Sequence, residues 1–142
     1  MSGHTANPGC GDLFLGVDLG TSSVRAALFD RDGFQIDIEQ QEYALSSPEP
    51  GYAELDPERV FQSMLDAVKD CLKGAENIGA RLQGMSFSTQ MHSFIAVDRQ
   101  GHPLTPVITW ADNRSLPEAE SFCRQQDIQE LYRLTGCRVQ HP

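Results

Sequence analysis

The sequence has few basic residues and no long hydrophobic run. Its 142 residues include 11 Lys and Arg against 20 Asp and Glu, which gives a formal net charge of −9. Nucleic acids and anionic membranes are bound by clustered Lys and Arg, so neither is an expected partner. No run approaches the roughly 18 apolar residues of a membrane-spanning helix, so no span is expected. A small anionic ligand held by local groups is compatible with this charge.

The N-terminal segment lacks the features of a secretory signal. Residues 1–12 have neither a basic start nor an apolar centre, and we expect them to form a disordered tail of a cytoplasmic protein. The cysteines form no C-x-x-C pair and have no zinc-like spacing, so they are expected to remain thiols. They are Cys10, Cys71, Cys123 and Cys137.

Hydrophobic patterning predicts strands that alternate with tight turns. The length and the 39 % apolar content suit one globular domain. The predicted strands are 13–18, 24–29, 34–43, 82–88, 94–98 and 107–110. The first three should form an antiparallel meander, because only short turns separate them. In the third, Ile36 and Ile38 are expected on one face.

Helical signals follow the meander and recur near the end of the chain. The clearest helix begins after Asp56, an N-cap residue followed by proline, and is expected to stop at Gly74. Its predicted apolar face comprises Val60, Phe61, Met64, Leu65, Val68, Cys71 and Leu72. Ser115 is predicted to cap a second helix, and 129–134 to form a third that ends at Gly136. This order predicts an α/β fold, a mixed sheet with helices packed against it.

The most informative segment is the turn after the first strand. The strand delivers the carboxylate of Asp18 and leads into Gly20, Thr21 and Ser22. Glycine permits a sharp turn, and the amides and hydroxyls of such a turn can donate to phosphate oxygens. Asp18 repels phosphate but can hold a water-coordinated Mg²⁺ that bridges to it. Arg25 can add a positive charge nearby. The alternative is an ordinary β-hairpin with an exposed arginine.

Two later segments place polar side chains beside an apolar surface. They contain Gln90, Met91 and His92, and then Trp110, Asp112 and Arg114. The first segment follows a predicted strand, where ligand groups commonly lie in sheets flanked by helices. Alone, this segment is more typical of a loop with a surface histidine than of a ligand site. Alone, Asp112 and Arg114 are more typical of an ion pair that caps the next helix.

Taken in order, five segments resemble the N-terminal lobe of the FGGY family of carbohydrate kinases. They are 16–23, 51–57, 85–93, 104–115 and 131–137, and the resemblance runs from about residue 13 to residue 142. Met-His-Ser at 91–93, followed by Ile-Thr-Trp-Ala-Asp-Asn-Arg-Ser at 108–115, is most similar to the gluconokinases of this family. Xylulokinases are the next most similar.

The resemblance implies a fold and a set of roles. The fold would be ribonuclease H-like, as in the actin-like ATPase superfamily, and the activity ATP-dependent phosphorylation of a primary hydroxyl on a sugar or sugar acid, with gluconate favoured. Asp18 would help to hold Mg²⁺. ATP phosphates would meet Gly20, Thr21, Ser22 and Arg25. The sugar site would be lined by Gln90, Met91, His92, Trp110, Asp112 and Arg114, and Arg114 could offset the gluconate carboxylate.

The resemblance also implies what to expect outside this stretch. In the family the general base is an aspartate late in the first lobe and the adenine pocket belongs to the second lobe, so no catalytic residue is assigned within residues 1–142. Residues 13–142 would be the N-terminal part of an incomplete first lobe, inactive alone, with the C-terminal part of the kinase as its partner in the same or a separate chain.

Other interpretations remain open at this stage. One is a xylulokinase-type sugar kinase. Another is a non-catalytic module that binds sugar or nucleotide, or that docks a separately encoded half. A chaperone-like ATPase of the same superfamily is disfavoured by the residues at 90–92 and 110–114, which resemble the sugar kinases.

Overall fold

The computed structural model describes residues 11–75 and 81–137. The strands in this part of the chain are β1 (Leu13–Leu19), β2 (Ser23–Asp30), β3 (Gln35–Glu42), β4 (Glu54–Leu55), β5 (Leu82–Thr89) and β6 (Val107–Ile108). The main sheet has the order β3-β2-β1-β5, and β4 pairs with β6 in a small second sheet. β1, β2 and β3 are antiparallel neighbours, which confirms the predicted meander, and β5 joins β1 in parallel.

The core lies between the sheet and the helix α1 (Pro57–Leu72). Alternate residues of β1 and β2 are buried there, because successive strand side chains point to opposite faces. These residues are Leu13, Leu15, Val17, Val24, Ala26 and Leu28. As predicted, Asp56 caps the helix: its carboxylate accepts hydrogen bonds from the N–H groups of Glu58 at 2.9 Å and Arg59 at 3.3 Å.

Most of the predicted apolar face of α1 is confirmed: Cys71 lies in the core, and Val60, Met64, Val68 and Leu72 pack against it. The centre of the buried face is the row Ser63, Ala67 and Cys71, whereas Phe61 is 53 % exposed. Residues four apart stack along a helix, and small side chains in that row let the helix approach the sheet closely. Cys71 is fully buried, as predicted.

The expectation that Ile36 and Ile38 share a face is wrong. The register between β2 and β3 shifts at Leu28 and Phe29, so an extra residue is inserted in β3. Such a bulge resets the alternation of side chains. Ile36 therefore packs against the core, and Ile38, paired with Ala27, is 47 % exposed.

The prediction of a strand at 94–98 is also wrong, because this segment forms no continuous ladder. Phe94 pairs with Ile108, and Val97 with Pro103, only as isolated bridges. Proline has no N–H to donate, so Pro103 and the nearby Pro106 interrupt the ladder. The reversal is still a hairpin, held by a hydrogen bond of 2.8 Å from the N–H of Leu104 to the carbonyl of Ala96.

Two helices follow β6, as predicted: α2 (Leu116–Gln125) and α3 (Ile128–Thr135). Ser115 occupies the N-cap position of α2, but its side chain makes no capping hydrogen bond. α3 ends at Gly136, whose φ of 71° is left-handed and favours glycine. No helix within 11–75 and 81–137 is long and apolar enough to cross a membrane.

Some sequence predictions lie outside the described residues. These are Cys10 and all of the predicted tail except Gly11 and Asp12. Cys71, Cys123 and Cys137 are free thiols.

Candidate active site

The turn between β1 and β2 is closed by a hydrogen bond of 2.9 Å from the N–H of Gly20 to the carbonyl of Ser23. A Cβ atom on Gly20 would lie 3.1 Å from that carbonyl oxygen, so the close approach favours glycine. Among the described residues, the N–H groups of Thr21 and Ser22 donate to no protein acceptor. The turn therefore offers two backbone donors that suit anionic oxygens.

Tyr43 holds this turn from the protein side. Its hydroxyl donates to the carbonyl of Gly20 at 2.7 Å, and its N–H donates to the carbonyl of Ser22 at 3.0 Å. Burial, with the nearby charge of Asp18 in addition, raises the pKa of the Tyr43 phenol above its ordinary value. Sequence reasoning missed this residue, because a tyrosine at the end of a strand carries no signal of a partner 23 positions away.

Asp18 lies at the carboxyl end of β1, between Arg25 of β2 and Ser88 of β5 in register. No hydrogen bond or ion pair to another described residue engages its carboxylate. The described part of the chain contains no cluster of three His, Cys, Asp or Glu side chains able to hold a metal ion. A single carboxylate of this kind could hold Mg²⁺ only with other ligands, which water and phosphate commonly supply.

Arg25 is exposed, and its side chain bonds to the neighbouring strand. Its Nε donates to the Oε1 of Gln40, its cross-strand partner on β3, at 2.9 Å. The remaining guanidinium donors point to no described acceptor. Asp18 and Arg25 are opposite each other in the register of β1 and β2. A carboxylate and a guanidinium therefore lie beside the turn that joins these two strands.

Thr21 joins this turn to the two later motifs. Its hydroxyl donates to Oε1 of Gln90 at 3.0 Å and accepts from Nε1 of Trp110 at 2.9 Å. Gln90 reaches this position because its N–H donates to the carbonyl of Leu19 at 2.9 Å and so extends the parallel pairing of β1 and β5. The N–H of Trp110 also donates to the hydroxyl of Ser93 at 3.1 Å.

Met91 and His92 lie at the exposed tip of the same loop. The side chain of Met91 is 74 % exposed. His92 has a φ of 56°, and no other non-glycine residue in the described ranges has a positive φ. Histidine tolerates this left-handed conformation better than most residues, and such outliers occur often at ligand sites. The apolar thioether and the imidazole are both free to meet a ligand.

Arg114 is held by two carboxylates and an aromatic ring. Its guanidinium pairs with Asp112 and Glu54 and stacks on Tyr52, 3.8 Å from the ring centre. These hydrogen bonds lower the pKa of Asp112 from its usual 3.8 to about 2, with Arg114 as the main cause. The opposite effect raises the pKa of Arg114. The charge of Arg114 is therefore balanced inside the protein.

Asp112 also connects the Trp110 loop to the segment before α1. Its Oδ2 accepts the N–H of Ala53 at 2.7 Å, and the N–H of Asn113 donates to the carbonyl of Gly51 at 2.7 Å. Trp110 and Asp112 line one hollow of about 480 Å³ with the first turn of α2. The 51–54 segment thus supports the loop that carries the indole.

Residues 13–141 match the model of the FGGY family of carbohydrate kinases, N-terminal domain. The chain belongs to this family.

Among its FGGY relatives are kinases for different sugars. The chain is 39 % identical over 128 residues to the gluconokinase of Bacillus subtilis, covering 90 % of this chain and 24 % of that protein. It is 31 % identical to the xylulose kinase of Staphylococcus xylosus, covering 85 % of this chain and 25 % of that protein. The chain therefore spans about a quarter of the length of the curated relatives it matches.

The solved structure of the gluconate kinase from Lactobacillus acidophilus has the same fold as the FGGY chain. The TM-score is 0.78 at 28 % identity, with 86 % of this chain and 24 % of that one covered. This likeness confirms the expected α/β fold of the actin-like ATPase type. The chain corresponds to the N-terminal part of an FGGY kinase.

Within the FGGY chain, the structure brings together some of the residues predicted from sequence. Thr21, Gln90 and Trp110 meet directly. Asp112 lines the same hollow as Trp110, whereas Arg114 turns toward Glu54 and Tyr52. Ion pairing of Asp112 with Arg114 next to α2 was the alternative considered from sequence, and it is present.

Proposed function

We propose that this chain supplies the phosphate-binding turn and part of the sugar site of a kinase that transfers a phosphoryl group from ATP to a primary hydroxyl of gluconate. Gluconate is proposed because two gluconokinase relatives are 39 % and 37 % identical to the chain, against 31 % for the xylulose kinase of Staphylococcus xylosus. The observation that carries the proposal is the meeting of the Gly20 turn, Gln90 and Trp110 at the hydroxyl of Thr21.

That meeting matters because phosphoryl transfer depends mainly on positioning and charge neutralisation. A phosphate bound at the turn and a sugar bound beside Gln90 would be neighbours. Gly20, Thr21, Ser22 and Arg25 are proposed to hold the phosphates, the turn through the free N–H groups of Thr21 and Ser22.

Asp18 is proposed to hold Mg²⁺ through water. The ion supplies positive charge to phosphate oxygens, which the protein itself provides sparingly at a net charge of −9. Asp18 suits this role because no described side chain competes for its carboxylate.

Gln90, Met91, His92 and Trp110 are proposed to contact the sugar directly. An amide and an imidazole can each donate to and accept from sugar hydroxyls, and the thioether and indole cover the apolar face of a sugar. Asp112 is proposed to border this site from the hollow it shares with Trp110, with Arg114 beside it.

One observation favours a second candidate substrate, a neutral sugar such as xylulose. Arg114 is the only basic residue of the 109–114 loop, and Asp112 and Glu54 already balance its charge. A gluconate carboxylate would therefore need to displace one of these acids or find its positive charge elsewhere. A neutral sugar has no such requirement.

Thermal unfolding of the full-length kinase that carries this chain, with gluconate, xylulose and glycerol, tests the substrate, since a ligand that binds only the folded state raises its stability. We expect gluconate to raise the midpoint most. Gln90→Ala should abolish that increase, and Gln100→Ala, in the exposed turn after Val97, should retain it. An increase with xylulose alone would establish the second candidate, and none with any sugar would overturn both.

An ADP-release assay with ATP, Mg²⁺ and gluconate tests competence. We expect no turnover from residues 1–142 alone, because the family resemblance implies that the base and the adenine pocket lie in other parts of the kinase. Clear turnover that Asp18→Ala abolishes would contradict this expectation and would locate a base among these residues.

A further inference from the structure

The single proton of the Thr21 hydroxyl is already committed within the protein. A threonine hydroxyl has one proton to donate and two lone pairs that can accept. The proton goes to Oε1 of Gln90, and one lone pair takes the indole N–H of Trp110. A phosphate oxygen has no proton to offer and could bond this hydroxyl only by taking the proton from Gln90.

The hydrogen bonds to Thr21 set the orientation of the Trp110 indole and of the Gln90 side-chain amide. The indole nitrogen is a donor only, and Thr21 is the single acceptor it meets in the described structure. Trp110 as a residue is 61 % exposed, so packing alone does not hold its indole in one position. Gln90 is anchored through its backbone, but its side-chain amide is oriented by Thr21.

We propose that Thr21 is a positioning residue for the sugar site, and that its side chain orients Trp110 and Gln90 rather than binding phosphate. The phosphate contacts of the turn then come from its backbone N–H groups, those of Thr21 and Ser22, which have no other partner in the described chain. This inference rests on the proposed function for the identity of the two ligands, but the orientation of Trp110 can be measured without either.

The chain offers a direct probe, because Trp110 is its only tryptophan. In a ¹⁵N-labelled sample the indole N–H gives a single resonance, and its exchange with solvent reports whether the hydrogen bond to Thr21 is intact. Thr21→Val removes the hydroxyl and keeps the shape. A hydrogen bond of ordinary net strength shifts the equilibrium between the bonded and the free indole N–H about fivefold. In Thr21→Val the exchange of this proton with solvent should therefore become about fivefold faster.

Two control variants separate positioning from general loosening. Thr21→Ser restores the hydroxyl and should return the exchange rate to that of the unsubstituted chain. Thr135→Val removes a comparable hydroxyl, which donates to the carbonyl of Leu131 in α3, and should leave Trp110 unchanged. If circular dichroism shows that Thr21→Val does not fold, Thr21→Ala removes the same hydroxyl for the same comparison. An unchanged resonance and exchange rate in the hydroxyl-free variant would overturn the proposal.

Calorimetric titration with Mg²⁺–ATP, done on the kinase of which this chain forms the N-terminal part, tests whether the Thr21 hydroxyl contacts phosphate. Thr21→Val should bind the nucleotide within about twofold of the unsubstituted chain, since the backbone donors remain. A loss of tenfold or more, with Trp110 exchange unaltered, would assign the hydroxyl to phosphate and refute the positioning role. If the unsubstituted kinase, with the parts beyond residues 1–142 present, binds no nucleotide, the proposed function fails, and indole exchange still decides whether Thr21 positions Trp110.

Discussion

The hydroxyl of Thr21 and the indole of Trp110 share a hydrogen bond of 2.9 Å across 89 positions of sequence. This bond connects a backbone turn suited to phosphate with an aromatic surface suited to sugar. Because Gln90 joins the same hydroxyl, three separate motifs meet at one atom. The predictions below test the groups that surround it.

Asp18→Asn should remove the Mg²⁺-dependent part of nucleotide affinity. The amide keeps the shape of the side chain but loses the charge that attracts the hydrated ion, and we expect a loss of about tenfold or more. Calorimetric titration with ATP in the presence and absence of Mg²⁺ measures this part. Asp32→Asn, in the exposed turn before β3, is the matched control and should bind as the unsubstituted chain does. Equal Mg²⁺ dependence in both variants would exclude Asp18 as the metal-holding group.

Tyr43→Phe should destabilise the fold by about 1 kcal/mol, the usual net value of one hydrogen bond. The ring stays buried, but the carbonyl of Gly20 loses its donor. Urea unfolding measures the difference. Tyr52→Phe is the control, because its ring, not its hydroxyl, contacts Arg114. If Tyr52→Phe costs as much as Tyr43→Phe, the bond to Gly20 is not the cause.

Arg114→Leu should decrease the midpoint of thermal unfolding, and this decrease should be several times that caused by Arg133→Leu. Removal of Arg114 leaves the carboxylate of Asp112, whose side chain is 2 % exposed, without its ion-pair partner. Arg133 pairs with Glu130 on the open surface of α3, where an ion pair contributes little. Comparable midpoints for the two variants would show that the contacts of Arg114 with Asp112, Glu54 and Tyr52 add no stability.

Asp112 should also give the stability a pH dependence. Its pKa is about 2 in the folded chain, below the usual 3.8, so its contribution is present above pH 3.8 and disappears as the pH falls through about 2. Urea unfolding from about pH 5 to pH 2 should therefore show a steeper loss of stability for the unsubstituted chain than for Asp112→Asn. Other carboxylates with lowered pKa values, Asp98 and Glu130, are common to both proteins and cancel in the difference. Parallel curves would contradict the assignment.

Cys71 should react with thiol reagents far more slowly than Cys137. Burial raises the pKa of the Cys71 thiol to about 11, so little reactive thiolate forms at neutral pH, and the side chain has no solvent access. Cys137 is exposed. Alkylation followed by peptide mass spectrometry should label Cys71 only when urea unfolds the chain. Early labelling of Cys71 would indicate that α1 separates readily from the sheet.

The elements set by local patterns were predicted well from sequence. Asp56 caps α1 and Gly136 ends α3 because the capping groups lie within a few residues of the N–H and carbonyl groups they satisfy. The meander follows from short turns between strands that alternate with period two. Ile36 and Ile38 were assigned wrongly because a bulge depends on pairing with another strand, which alternation within one strand does not reveal.

The sequence by itself determined the family, the candidate residues, the meander and the three helices after it, because these are written in motifs and in local periodicity. Tertiary structure alone decided which of those residues share bonds: Thr21 with Gln90 and Trp110, Arg114 with Glu54, and Tyr43 with the turn at Gly20. The physical reason is that each of these contacts joins positions 23 to 89 residues apart, and only the packed sheet brings them within hydrogen-bonding distance.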